Sequence, residues 1–184
     1  MKMKFHNLAW AASSVIALLC AFSVQADDQL RMDSKQAMSD FVSADPGLQK
    51  FVDSSAGHAI FPSVGKGGFI VGGARGKGLV FEKNNVIGQA TMTQASVGAQ
   101  VGGQTFAQLI LFETPAALND FKSGKFEMSA EVSAVVVKSG ASAAANYKNG
   151  VAVFTLPKTG AMVQASIGGQ KFKFEPENLA PTGR

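Results

Sequence analysis

The sequence predicts an α+β fold that is mostly β: a curled antiparallel sheet or small β-barrel, with N-terminal helices and one internal helix packed at its edge. Three observations carry that expectation. Between Ala59 and Lys83 the short apolar runs Ala59-Ile60-Phe61, Phe69-Ile70-Val71 and Leu79-Val80-Phe81 are too brief for helices, and seven glycines punctuate them. From His58 onward similar runs recur at strand length, near 58–62, 68–73, 77–83, 86–98, 104–113, 125–138, 150–156 and 161–174. Glycine pairs, Gly102-Gly103 just before the 104–113 run and Gly168-Gly169 within 161–174, are of the kind that bend a sheet into a curl.

The chain opens with an export signal. Lys2 and Lys4 form a basic start, Leu8 to Phe22 an apolar stretch, and Val24-Gln25-Ala26 a small-residue cleavage site, so residues 1–26 are expected to be removed. Leu19 stands where a lipoprotein signal before Cys20 would want a small residue. The apolar stretch is short for a membrane span, and no second one of about 18 residues follows. A periplasmic or secreted protein is expected, with one domain over 27–175 and a frayed tail over 176–184.

Asp33 or Ser34 can cap a helix to about Ala44, with Leu30, Ala37 and Phe41 on one face. Asp45-Pro46 then restarts a helix carrying Leu48, Phe51 and Val52 inward. The first helix lacks the Lys/Arg-rich polar face of a membrane-surface helix, which favours a lid on the sheet. Lys83-Asn84-Asn85 reads as a turn. Thr114-Pro115 starts the internal helix, which should stop near Gly124. Ser139 to Asn146 reads as a loop or one helical turn. Gln94-Ala95-Ser96-Val97-Gly98 is echoed by Gln164-Ala165-Ser166-Ile167-Gly168, and Val101-Gly102-Gly103-Gln104-Thr105-Phe106 by Ile167-Gly168-Gly169-Gln170-Lys171-Phe172.

Composition excludes several chemistries. Past Ala26 there is no cysteine, hence no disulfide, thiolate nucleophile or cysteine metal site. One histidine, His58, and scattered acids do not make a zinc or EF-hand site, so no metal or cofactor is expected. Removing Lys2 and Lys4 leaves 15 basic residues against 13 acidic ones, too little excess for a nucleic-acid surface. Ser96 and Ser166 lie in Q-x-S-x-G, one residue short of the hydrolase elbow, and only His58 could serve as their base. The phenylalanines Phe61, Phe69, Phe81, Phe106, Phe112, Phe126 and Phe154 read as core. No catalytic residue is expected, and the protein is read as a non-enzyme.

One candidate site remains. Lys66, Arg75, Lys77 and Lys83 punctuate the glycine-rich segment, where they are expected at turns between strands. Backbone N–H groups at Gly65, Gly67, Gly68, Gly76 and Gly78 could form an anion-binding concavity beside them. No P-loop or G-x-G-x-x-G pattern is present, so a nucleotide is not the expected anion. The bland alternative is that these cations only solubilise hairpin turns.

The Ile60-Phe61-Pro62, Gly65-Lys66-Gly67-Gly68 and Gly72-Gly73-Ala74-Arg75-Gly76-Lys77-Gly78 motifs resemble the SYLF domain family. So do Gly102-Gly103-Gln104, Leu109-Ile110-Leu111-Phe112, Phe121-Lys122-Ser123-Gly124-Lys125-Phe126 and Tyr147-Lys148-Asn149-Gly150-Val151. The likeness spans about residues 34–174. It implies a lipid-binding module, also described as actin-binding, whose eukaryotic members bind phosphoinositides through basic residues. For an exported chain it implies an anionic lipid or membrane surface as partner, contacted peripherally by Lys66, Arg75, Lys77 and Lys83. The alternative is an envelope protein that binds a protein or glycan through its curved sheet.

Overall fold

The computed structural model describes residues 8–68, 71–97, 104–124, 126, 128, 134–159 and 169–177. Two helices, α1 (Leu8–Ala44) and α2 (Leu48–Ser54), precede strands β1 (Gly57–Gly68), β2 (Val71–Glu82), β3 (Asn85–Val97) and β4 (Gln104–Phe112). Helix α3 (Pro115–Lys122), the short strand β5 (Ala134–Val136), a 3-10 turn at Ala141–Ala144, β6 (Val151–Thr159) and β7 (Gln170–Pro176) follow.

The seven strands form one mixed sheet in the order β5-β6-β4-β1-β2-β3-β7. Every pairing is antiparallel except β5 with β6. This bears out the α+β, mostly β reading and the curl, but not the closed barrel: β5 and β7 are both edges. The chain between them does approach closure. Met128 N–H donates to the Gln170 carbonyl at 3.5 Å, and Gly169 N–H donates to the Met128 carbonyl at 3.2 Å. Of the strand expected over 125–138, Ala134–Val136 is the part that pairs with β6 among the described residues. The expected strand over 161–174 is described only from Gly169, and the tail only to Glu177.

Side-chain alternation gives the curled sheet two apolar faces. The concave face carries Phe61, Val64, Val80, Met92, Phe106, Ile110, Phe112, Val153 and Phe172. Helix α3 stops its mouth with Leu118 and Phe121, and Phe121 meets Phe112 at 5.0 Å and Phe172 at 5.1 Å between ring centroids. Each such buried phenylalanine contributes about 1.5–3 kcal/mol of transfer free energy. The convex face, with Ile60, Leu109, Leu111, Ala152 and Phe154, packs against Ala37 and Phe41 of α1 and Leu48 of α2.

The helix signals were legible with two corrections, to the starts of α1 and α2. Of the face the spacing predicts, Ala37 and Phe41 are buried and Leu30 is half-buried, and Ser34, one of the two expected caps, is buried beside them instead, while Gln29 to Asp33 and Gln36 to Asp40 hydrogen bonds run along the exposed side. Rather than starting at Asp33, α1 runs unbroken from Leu8. Asp45-Pro46 breaks the helix, but α2 begins two residues later. The Asp45 carboxylate instead accepts from Gly47 N–H at 3.0 Å and from Ser142 N–H at 2.6 Å, clamping the break to the 3-10 turn. These bonds, the Ser142 one foremost, hold the Asp45 carboxyl below its ordinary value. Thr114 caps α3 by accepting from Ala117 N–H at 3.2 Å, and Gly124, at φ +70°, closes it in the left-handed conformation that a Cβ would strain.

The largest local correction concerns the glycine-rich segment. Gly65, Gly67, Gly68, Gly76 and Gly78, together with Lys66, Arg75 and Lys77, lie inside β1 and β2 and not at turns. Gly65 pairs with Arg75, Gly67 with Gly73 and Gly68 with Gly72. Their backbone groups serve the ladder, so they do not form the open anion-binding turn expected of them. Flanking strands β4 and β3 supply partners that local propensity cannot foresee. Phe69 lies outside the described residues.

Candidate functional site

Register decides which cations share a surface. Arg75 of β2 stands opposite Gly65 of β1 and Thr93 of β3, and Thr93 stands opposite Lys171 of β7. One step along, Lys77 stands opposite Ser63 and Thr91, and Thr91 opposite Lys173. Residues facing each other across a ladder project from the same side, and Arg75, Lys77, Lys171 and Lys173 are all exposed. The result is two parallel rows on the convex face, past the area that α1 and α2 cover. With strands about 4.8 Å apart and about 3.3 Å of rise per residue, the four Cα positions fall within roughly 10 by 7 Å. That is comparable to the ~8 Å screening length at physiological salt, so the four charges act on a partner together.

The ground between these cations is low. A Cβ added at Gly65 or Gly67 would meet nothing within 4 Å, and the other neighbours are Ser63, Thr91 and Thr93. A flat anionic surface could therefore approach the strands without steric obstruction. Among the described residues Arg75, Lys77 and Lys171 form no salt bridge. Lys173 is joined to Glu175 at 2.7 Å with both side chains well exposed. The Glu175 carboxyl is held below its ordinary value mainly by that Lys173 bond, with Lys77 adding a smaller attraction.

Two of the sequence-selected cations lie elsewhere. Lys66 opposes buried Ala74 and half-buried Gln104, two residues from buried Val64, and is itself half-buried on the concave side of β1. Lys83 belongs to the β2–β3 turn at φ +55°, six residues beyond Lys77 and so about 20 Å along the strand. The structure thus unites Arg75 and Lys77 with each other but not with Lys66 or Lys83. It adds Lys171 and Lys173, which sequence reasoning missed. The signal was there: Lys171-Phe172-Lys173-Phe174 alternates with period 2, cations outward and rings inward.

The serine–histidine arrangement is not assembled. Ser96 pairs with Gly72 and His58 with Phe81, nine residues apart along β2, or about 30 Å. Ser166 lies outside the described residues. Among those residues no group of three His, Cys, Asp or Glu could hold a metal ion, and no helix is long and apolar enough to cross a membrane.

The fold and the site together are a curled sheet with a cationic, low-relief outer face. Residues 93–178, a little under half of the chain, match the Ysc84 family, described as "Las17-binding protein actin regulator", a similarity that agrees with the SYLF resemblance of the motifs. The chain is also 30% identical over 142 residues to Beta cell expansion factor A of Aeromonas veronii, covering 76% of this chain and 53% of that protein. The chain therefore spans about half the length of the curated relative it matches.

Proposed function

We propose that the protein is a non-enzymatic, exported module that binds anionic lipid surfaces peripherally through the outer face of β2, β3 and β7. The SYLF match points to lipid or actin-related binding in general, and the geometry favours the lipid reading. The observation that carries it is the four-cation field of Arg75, Lys77, Lys171 and Lys173 over glycine, serine and threonine. Each cation close to an anionic membrane contributes about 1 kcal/mol, so four give useful but salt-sensitive attraction. A phosphoinositide-type headgroup is one anion that such a face would accept.

Export to the periplasm or beyond rests on the basic start, the apolar stretch and the Val24-Gln25-Ala26 site. In that reading the mature chain begins at Asp27, whose Oδ1 accepts from Gln89 Nε2 of β3 at 2.7 Å. Arg31 adds an ion pair to Glu177 four residues later.

Vesicle co-sedimentation tests the proposal. The wild-type chain and an Arg75→Gln, Lys77→Gln, Lys171→Gln, Lys173→Gln variant are compared on zwitterionic and anionic vesicles, at low and physiological salt. The expected result is anionic-selective, salt-weakened binding that falls roughly 100-fold or more in the variant at low salt. Equal anionic-over-zwitterionic selectivity in the two proteins, or none in either, would overturn the reading and direct attention to a protein or glycan partner. Insertion of the apolar N-terminus would not distinguish the two proteins, so the difference isolates the face.

A further inference from the structure

We propose that the cleft beneath α1 and α2, at the end of the sheet away from the cationic face, is a binding site for a small carboxylate with an apolar body. The cleft has a volume of about 230 Å³. That is below the roughly 300–1,000 Å³ of pockets for drug-sized ligands. At about 30 Å³ per water it has room for the equivalent of eight waters, hence a ligand of about ten non-hydrogen atoms.

Its walls are divided by chemistry. Met38 of α1, Val52 of α2, Ile60 of β1 and Phe81 of β2 provide an apolar lining. Two polar groups interrupt it. The Ser34 hydroxyl lies in a residue only 1% exposed and has no hydrogen-bond partner. A buried hydroxyl left in that state is destabilising, and a ligand oxygen would relieve it. The His58 ring is the second group, fixed by stacking on Phe81 with centroids 4.6 Å apart and planes 10° from parallel. Burial pushes its pKa down to about 4, so near neutral pH it offers one N–H donor and one acceptor without a charge to neutralise.

Charge at the rim sets the sign of the ligand. Lys35 and Lys83 both line the cleft, against a single acid, Asp53. The Asp53 carboxylate already accepts from Gln49 Nε2 at 2.8 Å. Two cations and a buried hydroxyl donor suit a carboxylate head, and the apolar lining suits a short hydrocarbon or aryl body. An inorganic anion would leave that lining unused. The site shares no residue with the Arg75, Lys77, Lys171 and Lys173 field, so it stands or falls independently of the proposed lipid contact.

Octanoate, a ten-heavy-atom monocarboxylate, is the probe, with 1-octanol and inorganic phosphate as controls. Titration into the full chain is followed by NMR of the His58 ring and by calorimetry. Octanoate should give saturable shifts at His58 and bind at least tenfold more tightly than octanol, and phosphate should leave the ring unmoved. Ser34→Ala, which removes an unpartnered group and so should fold normally, and surface Lys83→Gln should each weaken octanoate about fivefold. Lys83→Gln should leave anionic-vesicle binding as in wild type. Absence of saturable shifts up to about 10 mM octanoate overturns the proposal. Equal affinity in wild type, Ser34→Ala and Lys83→Gln does so too.

Discussion

Gln108 of β4 and Gln170 of β7 exchange two side-chain hydrogen bonds, at 2.8 and 3.0 Å, although β1, β2 and β3 lie between their strands in the sheet. Both are fully buried. Only a strongly curled sheet brings those strands face to face, so the pair is a direct gauge of curvature. It also fixes the placement of β7, the strand that brings Lys171 and Lys173 to the outer face.

That amide pair should be strongly coupled. Gln108→Met or Gln170→Met alone leaves a buried amide unpartnered and should cost about 1–3 kcal/mol, while the double Met variant should lose less than the sum. Denaturant melts of the four proteins measure the coupling. Simple additivity would show that the two amides do not depend on each other.

Vesicle binding should separate lysines by the side of the sheet they occupy. Lys171→Gln with Lys173→Gln should reduce anionic-vesicle affinity by roughly tenfold at low salt, at about 1 kcal/mol or less per cation. Lys66→Gln, on the concave side, should change it little. The reverse ranking from parallel co-sedimentation would move the contact to the concave side.

Acid should weaken the fold through His58. Its folded pKa, pushed down by burial to about 4 from the ordinary 6.5, means that the unfolded chain takes up its proton first as pH falls. The corresponding stability is intact above about pH 6.5 and is lost progressively down to pH 4, by at most about 3 kcal/mol. A His58→Leu variant should lack that part of the slope in thermal melts from pH 7 to 4. Asp45 and Glu175, both held below their ordinary values, lose their contribution at lower pH in either protein. An unchanged slope in His58→Leu would refute the assignment.

Glycines in β1 and β2 should split by their surroundings. A Cβ at Gly78 would sit 2.4 Å from the Ile60 carbonyl and 2.7 Å from the Phe61 ring, so Gly78→Ala should cost about 1–3 kcal/mol. Gly67→Ala meets open space and should stay within about 0.5 kcal/mol of wild type. Similar losses in both would mean that the strand pairing itself, and not local crowding, requires glycine.

Local signals in the sequence were reliable where the physics is local. Thr114-Pro115 and Gly124 bound α3 because capping and left-handed closure act over four residues. Glycine density misled at β1 and β2 because glycine favours a turn only in the absence of strand partners, and β3 and β4 provide them from farther along the chain. The candidate face was half legible. Arg75 and Lys77 stand out beside each other, but Lys171 and Lys173 are nearly 100 residues away and join them only through β3–β7 pairing. Lys66 and Lys83 looked equivalent to Arg75 in the sequence because neither strand parity nor distance along β2 is visible without the register.

The position of β7 also bears on synthesis. Strands β1 to β3 form a local meander that can assemble as soon as they emerge from the ribosome, whereas β3 must wait for a partner some 80 residues downstream. Until that partner arrives, β3 is an unguarded edge and Arg75 and Lys77 stand without Lys171 and Lys173. The nascent chain therefore passes through a stage in which it is most prone to pair with other chains and least able to hold an anionic surface, and one late docking event ends both conditions.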